Sequence, residues 1–333
     1  MMRHVRGDDL VDAFGRVVRD LRISVTDRCD LRCSYCMPPE GLEWIPSEEV
    51  LTFEEIARLA ALFKGVGVSS VRLTGGEPLV RARLADLVSD LRLIGFEDLS
   101  MTTNGTGLAR NARKLKDAGL HRVNVSIDSL LSHRYEEITR RSMLAQVLQG
   151  IEVAMTVGLA PVKINCVVMP GTNDDEILDF VEFARLSGCQ VRFIENMPLG
   201  AQGGWSPEQM FPAVSILALV EDRYDLVELP RSSAPARLFA FADGSPGGIG
   251  VIASVTAPFC ETCDRLRLTA DGAMRTCLFA HGELDLRGPM RAGASDDELL
   301  ALIRAEVHAK GRGHEIGAAG FRQPVRVMSR IGG

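Results

Sequence analysis

The sequence predicts an α/β fold: a partial (βα)6 barrel of TIM type, with a C-terminal domain carrying a second metal group over its open side. Three observations lead there. Apolar runs of strand length alternate six times with helical patterns through the first two thirds of the chain, the pattern of a parallel sheet with helices outside. The chemically unusual residues fall where those strands end, and (βα) barrels carry their active sites at the C-terminal ends of the strands. The alternation then fails beyond the Gly-rich stretch 199–207, and the remaining third holds its own cysteine group. Six units leave a barrel open, so that third is expected to cover the gap. The division is placed at 10–228 and 229–333.

The elements follow in order. A first strand at 21–25 runs into a loop holding Cys29, Cys33 and Cys36. A helix at 53–64 places Ile56, Leu59, Ala60 and Phe63 on one face, with Thr52 and Glu55 as a capping box and Gly65 at its end. Strand two, 71–73, leads to Thr74-Gly75-Gly76-Glu77-Pro78, and strand three, 99–101, to Thr102-Thr103-Asn104-Gly105. Strand four, 123–127, ends at Ser126-Ile127-Asp128, and strand five, 162–168, carries Lys163 and Asn165. A helix at 174–186 repeats the apolar face with Ile177, Phe180, Val181 and Ala184, and strand six, 191–194, ends at Glu195-Asn196-Met197-Pro198. Beyond lie a helix at 211–220, short strands at 237–241 and 248–252, and a helix near 296–309. The tail 328–333 reads as disordered by composition, though its Gly332-Gly333 end is slim enough to thread into a pocket.

Composition bounds the function. With 333 residues, 46% hydrophobic and 25% charged, the chain is globular and can form one large domain or two. A net charge of −6 argues against nonspecific nucleic-acid binding, which needs a broad basic face. A few converging arginines can still hold an anionic small molecule. No run approaches the roughly 18 apolar residues of a membrane span, and Asp8 and Asp9 argue against a transit peptide. A reducing cytoplasm is expected, since eight cysteines in a chain of this length do not make a disulfide scaffold.

Cys29, Cys33 and Cys36 are spaced C-x3-C-x2-C. A cubane [4Fe–4S] cluster has four irons, so three thiolates leave one iron open to a small molecule. The competing readings are a zinc site, which usually closes with four ligands, and a disulfide, which an odd number of cysteines disfavours. Cys260, Cys263 and Cys277 form a second set, C-x2-C-x13-C. Here zinc competes in earnest, because His281 could complete a three-cysteine, one-histidine site. Arg265 and Arg267, two apart on a strand, would form one anion-binding face beside that metal. Arg22, Arg72 and Lys163 sit among apolar strand residues and need partners. Those partners are Asp20, Glu77 or Glu195 if the role is structural, and phosphates if it is not. Glycines at 75 and 76 allow close ligand approach, and Glu77 could accept from an ammonium group. Cys166 and Cys189 read as core thiols. His121, His133, His308 and His314 are given no chemistry.

The first cysteine motif, with aromatic Tyr35 before Cys36, resembles that of radical S-adenosylmethionine (SAM) enzymes, and Gly75-Gly76-Glu77-Pro78 matches their second motif. Over nearly its full length the chain resembles the GTP 3′,8-cyclase family of molybdenum-cofactor biosynthesis. That resemblance rests on both cysteine sets, on Cys263-Asp264-Arg265-Leu266-Arg267-Leu268-Thr269-Ala270-Asp271-Gly272, and on the Ile331-Gly332-Gly333 end. It implies two [4Fe–4S] clusters and SAM as cofactors, with GTP as substrate. In the family, the SAM-derived radical takes the 3′ hydrogen of GTP and C3′ bonds to guanine C8, while the second cluster's open iron binds the base. By the same resemblance Tyr35, Gly76, Ser126 and Met197 contact SAM. Arg22, Arg72, Thr102, Lys163, Arg192, Arg265 and Arg267 contact GTP, and Arg265, Arg267, Gly332 and Gly333 support catalysis. The resemblance also implies a low-potential electron donor and cyclic pyranopterin monophosphate synthase as the downstream enzyme, and it allows a homodimer. Where the family often has a basic residue two positions before Arg72, this chain has Ser70, so a weaker phosphate contact is expected there.

Overall fold

The computed structural model describes residues 7–199, 205–231, 233–316 and 321–332. Among these, twelve strands form one sheet. β1 (Asp20–Ser24), β2 (Ser70–Thr74), β3 (Asp98–Thr103), β4 (Arg122–Ser126), β5 (Lys163–Val168) and β6 (Gln190–Glu195) lie side by side in chain order, all parallel. The helices between them are α1 (Phe53–Gly65), α2 (Leu84–Ile94), α3 (Leu108–Ala118), α4 (Ser132–Thr139), α5 (Leu144–Thr156) and α6 (Ile177–Ser187). The expected α/β fold with a parallel core is thus present. None of the described helices is long and apolar enough to cross a membrane.

Local sequence explains the elements. α1 starts at a capping box in which Glu55 N–H donates to Thr52 Oγ1 (3.2 Å) and Thr52 N–H to Glu55 Oε2 (2.8 Å). It buries Ile56, Leu59, Ala60 and Phe63, as the periodicity requires. α6 begins later than the pattern suggests, after a 3-10 turn at Asp174–Glu176. The reason is that Asn173, the natural cap, spends its side chain on distant backbone. It accepts from Met169 N–H (2.7 Å) and donates to the Asp128 carbonyl (2.7 Å).

Period two along the strands separates two environments. Leu21, Ile23, Val71 and Leu73 are buried against the helices. Their alternates, Arg22, Arg72, Thr102, Asn124, Asn165 and Arg192, face the opposite side. A purely structural barrel would fill that side with apolar side chains.

The last third does more than cover an opening. Its strands are β7 (Leu226–Glu228), β8 (Arg237–Phe241), β9 (Gly248–Ile252), β10 (Arg265–Leu268), β11 (Ala273–Arg275) and β12 (Leu284–Asp285), with helices α7 (Ala213–Glu221), α8 (Arg287–Arg291), α9 (Asp296–His308) and α10 (Met328–Ile331). β9 pairs in parallel with β6, and β10 in parallel with β1. The sheet order is β12-β11-β10-β1-β2-β3-β4-β5-β6-β9-β8-β7. The C-terminal segment therefore grips both edges of the six-stranded unit, and one hydrophobic core runs through both.

The tail corrects the sequence reading. Residues 328–331 form α10 rather than a frayed end, and Ile331 is buried with Leu199 and Phe279. A four-residue helix has almost no stability of its own, so tertiary contact with distant residues holds it. Gly333 lies outside the described residues.

Glu195, at the end of β6, joins the two parts. Its carboxylate accepts from Ala213 N–H (2.9 Å), which caps α7, and from Val255 N–H (2.8 Å) and Thr256 N–H (2.9 Å). It is buried. The Ala213 bond is buried and those to Val255 and Thr256 part-buried, and a buried donor left unpaired costs about 1–3 kcal/mol. Glu195→Ala is therefore expected to lower unfolding stability by roughly 1–3 kcal/mol in urea titrations of the full chain. An unchanged midpoint would show that the 255–256 segment is held by other contacts.

Candidate active site

The first cysteine loop leaves β1 and is strapped down by backbone contacts. Cys36 N–H donates to the Cys33 carbonyl (2.9 Å), and Arg32 N–H to Thr139 at the end of α4 (3.0 Å). Arg140 reaches back to the Arg32 carbonyl (2.6 Å). Asp30 accepts from Asn104 Nδ2 (2.7 Å) and Thr106 Oγ1 (2.6 Å), tying the loop to the one after β3.

The loop after β2 docks edge-on to the cysteine loop. Gly76 N–H donates to the Thr26 carbonyl (2.7 Å) and Glu77 N–H to the Arg28 carbonyl (2.7 Å). A Cβ at residue 76 would lie 2.4 Å from the Asp27 and Arg28 carbonyl oxygens, so glycine is required by this close approach. Glu77 does not present its carboxylate to a ligand. Both oxygens are taken by Leu79 N–H (2.9 Å), Thr103 Oγ1 (2.7 Å) and Asn104 N–H (2.6 Å), which makes it a strut between two loops. Tyr35 is fixed by its hydroxyl, which donates to Asp128 Oδ2 (2.7 Å); the other Asp128 oxygen accepts from Val167 N–H (2.8 Å).

One cavity of about 300 Å³ runs from these strand ends along the polar face of the sheet, with the first cysteine set at the C-terminal ends of the strands and the second beside their N-terminal ends rather than over the same mouth. The six thiols are free of disulfides. Among the described residues no three His, Cys, Asp or Glu side chains converge as ligands of a single ion, and His281 does not line the cavity. The sets differ in charge. Burial pushes Cys29 up to about 12 and Cys36 up to about 11. Burial also raises Cys263, but Arg265 and Lys310 more than offset it and bring that thiol down to about 7.

Between the two sets one flank of the wall is cationic. Sheet register sets Arg267 of β10 beside Arg22 of β1, and Arg22 beside Arg72 of β2. Among the described residues the counter-charge is thin: Arg22 has Asp20 at 3.9 Å, and Arg72 donates from Nε to the Ser100 hydroxyl (3.3 Å), with Asp20 and Asp98 as its nearby carboxylates. Burial and then neighbouring Arg72 lower Arg22 to about 9, and burial lowers Arg72 to about 10. Arg22 Nε and Arg265 Nη2 are buried without a hydrogen-bond partner. Arg265 stacks over Phe259 at 4.8 Å, and Arg267 donates to the Gly332 carbonyl. Buried guanidinium groups with unpaired N–H bonds form a site for a multiply charged anion.

The cavity collects Tyr35, Gly76, Ser126, Met197, Arg22, Arg72, Thr102, Arg192, Arg265 and Arg267, as expected of candidate site residues. Lys163 is not in its wall. It lies two residues before Asn165, which is, and beside the arginine group. Burial, then Arg192, Arg122 and Arg72, lower it to about 7. Gly332 sits just behind the wall, where a Cβ would press within 2.8 Å of Thr74 Cγ2. Ser70 spends its hydroxyl on the Arg19 carbonyl (3.2 Å) and so offers no substitute for a basic residue. His314 was given no chemistry yet lines the cavity, with its ring edge-on to Phe279 at 5.0 Å. It follows α9 in a loop, where no periodic signal marks it. Phe259 was also missed.

Comparisons with known proteins agree with this geometry. Residues 23–184 match the Radical SAM superfamily, and residues 189–316 match Molybdenum Cofactor Synthesis C. A GTP 3′,8-cyclase of Corynebacterium glutamicum (strain R) is 48% identical over 337 residues, 97% of this chain and 89% of that protein. The GTP 3′,8-cyclase of Streptomyces coelicolor is 48% identical over 331 residues, 97% of this chain and 96% of its own. The crystal structure of Streptococcus suis SuiB bound to precursor peptide SuiA matches with a TM-score of 0.61 at 15% identity, over 86% of this chain and 67% of that one. That second likeness speaks to the fold alone. Identity near one half across almost the whole chain speaks to more: the protein belongs to the GTP 3′,8-cyclase family of the radical SAM superfamily.

Proposed function

We infer that this enzyme is a GTP 3′,8-cyclase, joining C3′ of the GTP ribose to C8 of guanine in the first step of molybdenum-cofactor biosynthesis. One observation carries the reading: two three-cysteine sets share a cavity whose remaining wall is a row of under-compensated arginines. Cys29, Cys33 and Cys36 would hold one [4Fe–4S] cluster and Cys260, Cys263 and Cys277 a second. Three thiols in each set fit groups that each keep one iron open. When bound, the first cluster and SAM supply the radical that removes the 3′ hydrogen.

The chain's own residues bind and orient. Arg22, Arg72, Arg265 and Arg267 give charge-assisted hydrogen bonds to the triphosphate, with Arg192 and Thr102 completing the polar wall and Lys163 adding charge just outside it. Tyr35, Gly76, Ser126 and Met197 shape the SAM side. Tyr35 is held in place by Asp128, and Gly76 by close loop packing. Gly332 orients Arg267 through its carbonyl. Apolar Ile252, Phe259, Leu278 and Phe279 exclude water from the space between. A low-potential electron donor, a downstream cyclic pyranopterin monophosphate synthase and a reducing cytoplasm complete the reading.

Anaerobic incubation with SAM, a reductant and each nucleoside triphosphate should give cyclised product from GTP alone. Cys33→Ala should abolish 5′-deoxyadenosine formation, and wild-type SAM cleavage by that variant would overturn the ligand assignment. Arg22→Met exchanges an under-compensated buried charge for an apolar chain, so the unliganded variant should melt above wild type. It should also bind GTP about tenfold to a hundredfold more weakly. A lower melting point with unchanged GTP affinity would place Arg22 in a structural ion pair. Deleting Gly332 and Gly333 should spare the fold while product falls sharply, because losing the Gly332 carbonyl frees Arg267 and small misplacements of reacting atoms cost large rate factors. Normal product yield from that truncation would remove the tail from the chemistry.

A further inference from the structure

The second cysteine loop is held from behind by residues that no part of the reaction uses. Arg16, in the N-terminal hairpin, is fixed by Asp12 (2.5 Å) and donates to the carbonyls of Cys260 (2.9 Å), Gly311 (2.6 Å) and Arg312 (2.7 Å). Segment 310–314 then wraps the loop. A Cβ on Gly313 would lie 2.9 Å from Cys260 Cβ and 3.2 Å from its Sγ. Lys310 is buried, only 4% exposed. Its ammonium group donates to the carbonyls of Arg265 (3.0 Å) and Cys263 (3.2 Å) and lies 3.7 Å from Cys263 Sγ.

A buried ammonium costs several kcal/mol in lost hydration. Two carbonyls recover part of that; the third contact is the sulfur. A cubane held by three thiolates gains negative charge on reduction, and hydrogen bonds to its sulfurs together with nearby positive charge favour the reduced form. Resting on the reading of Cys260, Cys263 and Cys277 as ligands of a second cluster, we propose that Lys310 is a positioning residue of that centre. It donates an N–H···S hydrogen bond to Cys263 and holds the cluster's reduction potential up, while Arg16 fixes the loop.

The test uses the full chain, reconstituted anaerobically with iron and sulfide. Metal and sulfide are counted, and both clusters are followed by electron paramagnetic resonance in a redox titration. Lys310→Gln keeps amide donors but removes the charge, and Lys310→Arg keeps the charge. The expected result is a lower midpoint for the second cluster in Lys310→Gln, an unchanged first cluster, and a midpoint near wild type in Lys310→Arg. Loss of the second cluster in Lys310→Gln alone, with the first retained, supports the same role. A merely space-filling residue would make the larger arginine the worse replacement. A wild-type midpoint in Lys310→Gln, or equal loss of the second cluster in both variants, overturns the proposal. Stoichiometric zinc, or iron for one cluster only, in the wild-type chain would instead retire the two-cluster reading itself.

Discussion

Parallel pairing of β10 with β1 is the constraint on which the site depends. It joins the far end of the chain to its first strand in a register that sets Arg265 beside Asp20 and Arg267 beside Arg22. A slip of one residue would turn both arginines toward the helices. The same pairing sets Cys260 and Cys263, just before β10, at the N-terminal ends of the parallel strands, while the loop after β1 holds Cys29, Cys33 and Cys36 at their C-terminal ends, so the two sets stand at opposite ends of one cavity. β9 makes the matching join on β6. Neither cysteine set could face the other if the last third were a separate lid hinged on a linker.

The site is expensive electrostatically, and the fold carries that cost. Row on row of inward polar side chains replaces what would otherwise be barrel core, and several of their N–H groups go unpaired. Compensation comes from the outer face, where apolar residues of every parallel strand pack against helices in one continuous core. The loops at the mouth are rigid for a different reason. The carboxylates of half-buried Asp30 and buried Glu77, Asp128 and Glu195 each accept from two or more donors. Stability and recognition are thus assigned to opposite faces of the same strands.

Much of this was legible in the sequence because it is local. The six strands, the capped helix α1 and the cysteine spacings each declare themselves within a dozen residues, and the strand-end clustering of Arg, Gly and Cys located the cavity. What was hidden is long-range. Nothing in the short run Arg265–Leu268 announces a parallel partner at residue 20, and nothing in Met328–Ile331 announces Leu199 and Phe279. Glu77 looked like a ligand group because its chemistry suits an ammonium; only the neighbouring loop donors show that its oxygens are spent. His314 has no pattern to reveal it. Lys163, expected from the resemblance to contact GTP, lies two residues before Asn165 of the wall, a placement only the sheet register reveals.

The two edge joins bear on how the chain is made. A ribosome delivers β1 to β6 long before β10 appears, so the growing polypeptide holds a six-stranded sheet with both margins bare. Exposed margins of this kind recruit strands from other molecules. β9 closes one margin when residue 252 emerges, and the other stays open until residue 268 is free. For that interval the nascent protein is vulnerable to pairing with its neighbours on a polysome. Chaperone shielding, or a slow pace of translation, matters more through this stretch than through any other.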